Sequence, residues 1–462
     1  MSREKWVTLI VASAATAILL LDVTIVYVAL PSIRADLGAS FNQAQWVIDA
    51  YTVVMAATLL ACGSLADRIG RRKIFAGGLI VFTTCSLVCG VAGSPLVLDL
   101  SRGVQGLGAA AMYAASLALL ANEFQGSQRG LAFGVWGAVT GAALAVGPLI
   151  GGLVIDGLSW RWIFLINVPI GLLTLLGTWA SVRESKEPKE SRFDLAGTVL
   201  FAASTFLLVL ALIRGNDDGW GSTFIVATFL VAAGLAAAFI TVELRRSEPM
   251  LPLGFFRSKP FTGTAIVSFA QSIAIYPLLL FLAIYLQEGL GFGPTEAGLR
   301  LLPMTVTIFL VAPFAGRLTS RTTIRLPLAS GLFLLAVSLL LIYGIDAENG
   351  WTRLLPGMLV GGVSIGLISP SLAAAMVSVL PVEKSGLASG MNNTGRQLGI
   401  AIGIAGLGAI FDHHVTGAGG TLEGITSGLN AVILVAAATA FLAAAVCWPL
   451  LGRQRSSESP DI

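Results

Sequence analysis

The chain has 462 residues, of which 56% are hydrophobic and only 11% are charged, and its mean hydropathy is +0.86. Soluble domains carry roughly 25% charged residues, so this composition excludes a soluble globular protein and indicates an integral membrane protein. The net charge of +3 says little about partners, and we expect no nucleic-acid partner. The four cysteines lie in apolar segments and show neither disulfide nor metal-ligand spacing.

Apolar segments of helical length follow one another along the chain. A helix needs about 20 apolar residues to cross a bilayer, and the continuous apolar runs exclude the alternating pattern of a membrane β-barrel. We predict fourteen transmembrane helices, at 7–30, 45–66, 73–92, 97–121, 129–155, 162–182, 195–213, 222–243, 262–286, 297–317, 326–345, 353–380, 386–411 and 428–450. The fold class is therefore an all-α polytopic membrane protein.

Two charged segments, Arg183–Asp194 and Arg245–Lys259, interrupt this series of spans. They divide the chain into an amino-terminal six-helix bundle (1–182), a two-helix insert with its linkers (183–260), a carboxy-terminal six-helix bundle (261–452) and a tail (453–462).

A weak internal repeat relates the two bundles. The segment Gly63–Arg68 recurs as Gly316–Arg321, 253 residues later, and Gly130–Gly134 recurs as Gly386–Gly390, 256 residues later. Two matches at nearly one offset predict a duplicated six-helix half, and parallel halves of this kind are typical of transporters. The second copy has Ser320 where the first has an acid, which indicates divergent roles.

Basic residues are concentrated on one side of the predicted spans. The side that carries both termini holds 21 of the 28 Lys and Arg residues, and the other side holds five. Arg102 and Arg396 lie within spans. The positive-inside rule therefore predicts a multi-pass protein of the cytoplasmic membrane with both termini in the cytoplasm.

The loop between spans two and three is short, basic and rich in glycine. Five of the eleven residues in Gly63–Lys73 are charged, and glycine permits a tight turn there. A basic membrane anchor is the simpler interpretation, but the spacing is more specific than anchoring requires. The residues that carry this pattern are Gly63, Asp67, Arg68, Gly70, Arg71 and Arg72.

Two charged residues lie within apolar spans of the first half. A charged side chain at the centre of a membrane helix costs about 2.5–3.5 kcal/mol on insertion scales, so Asp22 must face a cavity or a partner. Arg102 cannot lose its proton and must find acceptors, either Asp99 on its own helix or Asp22 across helices. Asp22 could instead be a structural acid, and Asp49 is a weaker candidate for titration.

Span five contains Gly147-Pro148-Leu149-Ile150-Gly151-Gly152. Glycine and proline together permit close helix packing and a bend.

These stretches together resemble the major facilitator superfamily. The basic loop is similar to its signature between helices two and three, the segment from Arg102 is similar to its helix-four motif, and Gly147–Gly152 is similar to the helix-five motif of antiporters. Leu21–Pro31 and Trp160–Pro169 resemble the branch of fourteen-span drug:proton antiporters. Tyr27 departs from the asparagine expected there.

The resemblance implies export coupled to proton entry by alternating access. It implies that Asp22 and Arg102 form the proton-responsive pair, that the loop around Asp67 gates the cytoplasmic side, and that the helix-five motif governs helix packing. Substrate contacts are expected among the polar or variant residues Tyr27, Gln271, Asn392, Asn393 and Arg396.

The predicted function is proton-coupled export of lipophilic, often cationic drugs or toxic compounds by a monomer in the lipid bilayer. A dedicated exporter of one metabolite or antibiotic remains open, and a non-transporting receptor and a sugar-type uptake carrier are disfavoured. The sequence contains no nucleotide-binding loop, metal cluster or nucleophile triad, so we expect no enzyme, cofactor or metal.

Overall fold

The computed structural model describes residues 3–124, 127–185, 194–246, 249–346, 348, 350–378 and 385–452. The tail at 453–462, most of the loop at 183–194 and the loop at 381–384 lie outside the described residues. So do most side chains of the repeat motifs at 130–134, 316–321 and 386–390.

The regular elements described are all helices. In chain order the α-helices are α1 (Arg3–Leu37), α2 (Phe41–Ile69), α3 (Arg71–Gly90), α4 (Pro95–Glu123), α5 (Ser127–Gly157), α6 (Trp162–Leu165), α7 (Asn167–Ser181), α8 (Leu195–Asp218), α9 (Thr223–Arg245), α10 (Lys259–Ile284), α11 (Pro294–Arg321), α12 (Arg325–Ile342), α13 (Leu355–Ser378), α14 (Ser385–Gly417) and α15 (Leu422–Leu450). Short 3₁₀ segments lie at Leu253–Arg257 and Trp351–Leu354, and a π-helical turn at Tyr285–Gly289 extends α10.

Each of the fourteen predicted spans corresponds to a helix, with α6 and α7 together forming the sixth. Among the described residues, thirteen helices are long and apolar enough to cross a membrane, and α5 includes the shorter apolar stretch Val146–Gly157. The predicted all-α membrane fold is therefore confirmed.

Polar residues and glycine set the helix boundaries where the chain leaves the apolar segments. Ser40 caps α2 in a reciprocal capping box with Gln43, and Ser94 caps α4 just before Pro95. Gly70 joins α2 to α3 with a φ of +132°, a conformation that side chains other than glycine rarely adopt. One glycine thus allows two long helices to follow each other directly.

The chain forms two compact units. Unit 1 comprises the described residues of Met1–Phe206 and Ala232–Leu251, and unit 2 those of Leu207–Val231 and Pro252–Ile462. In unit 1, α4 packs on α2 and α3, and α1 packs on α5. In unit 2, α13 packs on α11 and α12, and α10 packs on α14. The same pairing order in both units agrees with the predicted six-helix repeat, whereas the predicted domain boundaries stay a prediction.

Candidate functional site: a buried ion pair in unit 1

The two charged residues predicted in the spans of the first half lie together in unit 1. Asp22 of α1 is 2% exposed and Arg102 of α4 is 1% exposed. Arg102 Nη1 donates to Asp22 Oδ2 and forms an ion pair with it. Of the two acids that the sequence left open as partners of Arg102, the structure selects Asp22 over Asp99.

The guanidinium of Arg102 has further acceptors besides the carboxylate. Its Nε donates to the backbone oxygen of Val47 over 2.8 Å, and its Nη1 donates to Gln105 Oε1 over 2.8 Å. It also lies over the ring of Tyr51, 4.2 Å from the ring centroid, in cation–π geometry. These contacts stabilise a cation that would be costly to bury alone.

Neutral side chains complete the network around the carboxylate. Asn167 Nδ2, at the first residue of α7, donates to Asp22 Oδ1 over 3.1 Å. Gln105 Nε2 donates to Ser86 Oγ over 2.7 Å and lies 3.5 Å from Asp22 Oδ1. Four helices besides α1, namely α2, α3, α4 and α7, thus contribute to one buried hydrogen-bond network. Nothing in the sequence alone marks Gln105, Ser86 or Asn167 as members of this site.

The helix-five motif lies against the helix that carries Asp22. A Cβ added at Gly147 would clash with Thr24, and one added at Gly151 would meet Ile25 Cγ2 at 3.0 Å. Pro148 and Gly152 are also buried. The motif therefore brings α5 into backbone-level contact with α1, immediately after its buried acid.

The basic loop forms a set of local contacts at the junction of α2 and α3. Arg71 donates from both Nε and Nη2 to Asp67 Oδ1, each over 2.8 Å. The carboxylate of Glu184 accepts from the backbone N–H of Arg72 over 3.1 Å, and it fills the space beside Gly70 that a Cβ would occupy. Arg68 is exposed, and Gly63 lies where a Cβ would make ordinary contact with Ala114.

The predicted substrate residues are placed separately in the two units. Tyr27, in unit 1, is 2% exposed. In unit 2, Asn392 Nδ2 of α14 donates to the backbone oxygen of Thr264 over 3.4 Å. Asn393 is 8% exposed. Gln271 and Arg396 are half-buried. Their role in binding a substrate stays a prediction.

Asp49 of α2 is a further buried acid, with an exposure of 0%. Neither of its carboxylate oxygens has a hydrogen-bond partner among the described residues. The described residues also include no group of three His, Cys, Asp or Glu side chains suited to a metal ion.

Comparison with known proteins identifies the family. The model of the Major Facilitator Superfamily matches residues 12–404. The chain is 35% identical to the puromycin resistance protein pur8 of Streptomyces alboniger, over 97% of this chain and 92% of the relative. It is also 35% identical to the multidrug resistance protein Stp of Mycobacterium tuberculosis, over 89% of this chain and 76% of the relative.

A crystal structure of the peptide transporter POT in complex with sulfate has the same fold. Its TM-score is 0.71 at 15% sequence identity, and the match covers 98% of this chain and 96% of that one. Such a likeness shows the fold alone. Together with the family match and the thirteen membrane-length helices, it shows a multi-pass membrane transporter rather than an enzyme, and the chain belongs to the Major Facilitator Superfamily.

Proposed function

We propose that this transporter exports lipophilic, often cationic drugs or toxic compounds from the cytoplasm, driven by protons that enter in exchange. The observation that carries the proposal is the buried ion pair of Asp22 and Arg102. The names of the relatives, a multidrug resistance protein and a puromycin resistance protein, support this substrate class. The protein would act as a monomer in the cytoplasmic membrane with both termini in the cytoplasm.

The network gives the coupling a physical basis. Protonation of Asp22 removes the charge that balances Arg102, whereas Arg102 keeps the backbone oxygen of Val47 and the amide oxygen of Gln105 as acceptors. The pair can then separate while the guanidinium keeps hydrogen-bond acceptors. If α1 and α4 have two arrangements and Asp22 binds a proton more tightly in one of them, protonation increases the population of that arrangement.

The contact between α1 and α5 would pass this change onward. Gly147 and Gly151 hold the α5 backbone against Thr24 and Ile25, which follow Asp22 by less than one helical turn. A displacement of α1 at Asp22 therefore acts directly on α5. Asp67 and Arg71 in the basic loop would in turn serve as part of a cytoplasmic gate.

The test is transport by purified protein in proteoliposomes with an imposed pH gradient, with lipophilic cationic dyes as substrates. Asp22→Asn should abolish gradient-driven transport while the protein remains folded. Asp36→Asn is the matched control on the same helix, because Asp36 forms a more exposed ion pair with Arg161 and should leave transport unchanged. Full transport by the Asp22 variant would refute proton coupling at this residue.

A dedicated exporter of one antibiotic or metabolite is the second candidate. It is favoured by the relative whose name gives one antibiotic, puromycin. A susceptibility panel in an efflux-deficient bacterial host separates the two functions. Protection against several unrelated lipophilic compounds supports the multidrug exporter, and protection against a single compound supports the dedicated one.

A further inference from the structure

A pair of buried acids lies where the two insert helices meet, outside the Asp22 network. Asp194 directly precedes α8, and Glu243 lies in the last turn of α9. The two residues are 5% and 3% exposed. Buried carboxyl groups are costly unless they are paired, hydrogen-bonded or neutral, so their partners decide their charge.

The contacts of Asp194 favour its ionised form. Asp194 Oδ1 accepts from the backbone N–H of Gly197 over 2.7 Å, in the manner of a helix N-cap. The same oxygen forms an ion pair with Arg246 Nη1 over 2.9 Å. A carboxylate at a helix N-terminus is also stabilised by the helix dipole. Of the two acids, Asp194 is therefore the one whose contacts suit a negative charge.

One carboxyl oxygen of Glu243 accepts a backbone hydrogen bond, and the other has room to carry a proton. Glu243 Oε2 accepts from the backbone N–H of Leu251 over 2.9 Å. Its Oε1 is buried and has no N–H donor among the described residues, and the same is true of Asp194 Oδ2. Two buried oxygens from two acids thus lack partners at the same place.

These two oxygens face each other above a glycine. A Cβ added at Gly197 would lie 2.5 Å from Glu243 Oε1 and 2.6 Å from Asp194 Oδ2, so only glycine leaves room for both. The two carboxyl groups therefore approach each other closely on the same side of Gly197. A hydrogen bond between two carboxyl oxygens requires a proton on one of them, because an ionised carboxylate can only accept.

We propose that Asp194 and Glu243 form a carboxyl–carboxylate pair that holds one proton, a proton-binding site of the two-helix insert separate from Asp22. The Glu243 carboxyl carries the proton and donates a hydrogen bond to the Asp194 carboxylate. This bond gives both unpartnered oxygens a partner. The charged group that faces the pair from the described elements is Arg246, and the neighbouring Thr198 and Met250 are neutral.

Loss of the proton changes the charge at this junction. Two carboxylates then face each other with Arg246 as their single described counterion, and like charges at close range in a buried site repel. The contact between the start of α8 and the end of α9 should therefore weaken as the pH rises. The insert would respond to pH at its predicted cytoplasmic end, independently of whether the protein exports drugs.

Infrared difference spectroscopy of the purified full-length protein tests the proton directly. A titration from acid to alkaline pH should reveal a protonated-carboxyl band that Glu243→Gln removes. Glu348→Gln, at an exposed loop residue, and Asp22→Asn, at the other site, should both retain this band. The proposal is overturned if the Glu243 variant shows the same bands as the wild-type protein.

Thermal unfolding as a function of pH provides the second readout. The Glu243→Gln amide can still donate to Asp194, so this variant should match the wild type at low pH and lose less stability as the pH rises. Parallel curves for the two proteins would contradict the proposal. Stabilisation of the wild type by added sodium ions, without a protonated-carboxyl band, would also overturn it and indicate a cation site instead.

Discussion

In both units, a glycine allows the fifth helix to approach the first. Gly147 of α5 meets Thr24 in unit 1, and Gly403 of α14 would place a Cβ 2.9 Å from Ile273 Cα in unit 2. The two glycines are 256 residues apart, which is the offset of the repeated segment at 130 and 386. The backbone approach of these helices is therefore common to the two units.

The charged pair, in contrast, belongs to unit 1. At the repeat offsets of 253 and 256 residues, the counterparts of Asp22 are Ile275 and Leu278, both buried and apolar. At the same offsets, Arg102 corresponds to Leu355 and Met358. The comparison shows that two units with one packing pattern differ in buried charge, and it locates the proposed proton chemistry in the first.

The largest expected effect comes from removing the arginine of this pair. Arg102→Met leaves the charge of Asp22 buried without a counterion, which should lower the free energy of unfolding by about 3–5 kcal/mol. The matched change in unit 2, Met358→Leu, conserves volume and should cost less than about 1.5 kcal/mol. Chemical unfolding in detergent measures both values. Equal losses would mean that the ion pair adds nothing to the stability of unit 1.

Two equally buried asparagines sharpen the comparison of charged with neutral networks. Asn167 and Asn392 are each 3% exposed, but Asn167 donates to the Asp22 carboxylate and Asn392 to a backbone oxygen. Hydrogen bonds to charged groups contribute about 1.5–3 kcal/mol, and neutral ones about 1 kcal/mol. We therefore expect Asn167→Ala to be the more destabilising variant in the same unfolding assay, and the reverse order would contradict the charged network.

The glycine contacts should behave alike in the two units. Gly147→Ala and Gly403→Ala each place a methyl group against a neighbouring helix, and overpacking of this kind costs about 1–3 kcal/mol. Gly395→Ala in α14 meets nothing within 4 Å and is the control. It should stabilise the protein by about 0.4–1 kcal/mol, because alanine restricts the unfolded chain. A large loss in only one unit would show that the shared packing is not equivalent.

The sequence predicts the positions of the membrane helices far better than the side-chain contacts between them. Hydropathy locates spans because bilayer thickness sets their length, and a charge inside a span is conspicuous, so Asp22 and Arg102 could be identified. The amides of Gln105 and Asn167 could not, because neutral polar residues are common in membrane helices and their contact with Asp22 joins residues 83 and 145 positions apart.

The sequence also gives no indication of which partners the charged residues at the ends of the spans have. Asp194 and Arg246 lie in segments predicted as linkers, where charges are ordinarily solvated. Only the return of α9 to the start of α8 brings them together with Glu243. Likewise, Gly403 follows Gly395 and Gly399 at four-residue spacing, a pattern that permits close helix packing, but the spacing does not indicate that Ile273 is the neighbour. Contacts between residues of different helices can be assigned only when the fold is known.

The smallest stability effect is expected in the basic loop, where the first unit has Asp67 and the second has Ser320. The Asp67 side chain is 40% exposed, and exposed ion pairs contribute about 0–1 kcal/mol, so Asp67→Asn should hardly change unfolding and its effect should decline with salt. If the loop is a gate, the same variant should nevertheless slow transport in proteoliposomes. Asp36→Asn, which removes another exposed pair, should match it in stability but not in transport. A loss of stability as large as that of Arg102→Met would instead show that the loop stabilises the fold.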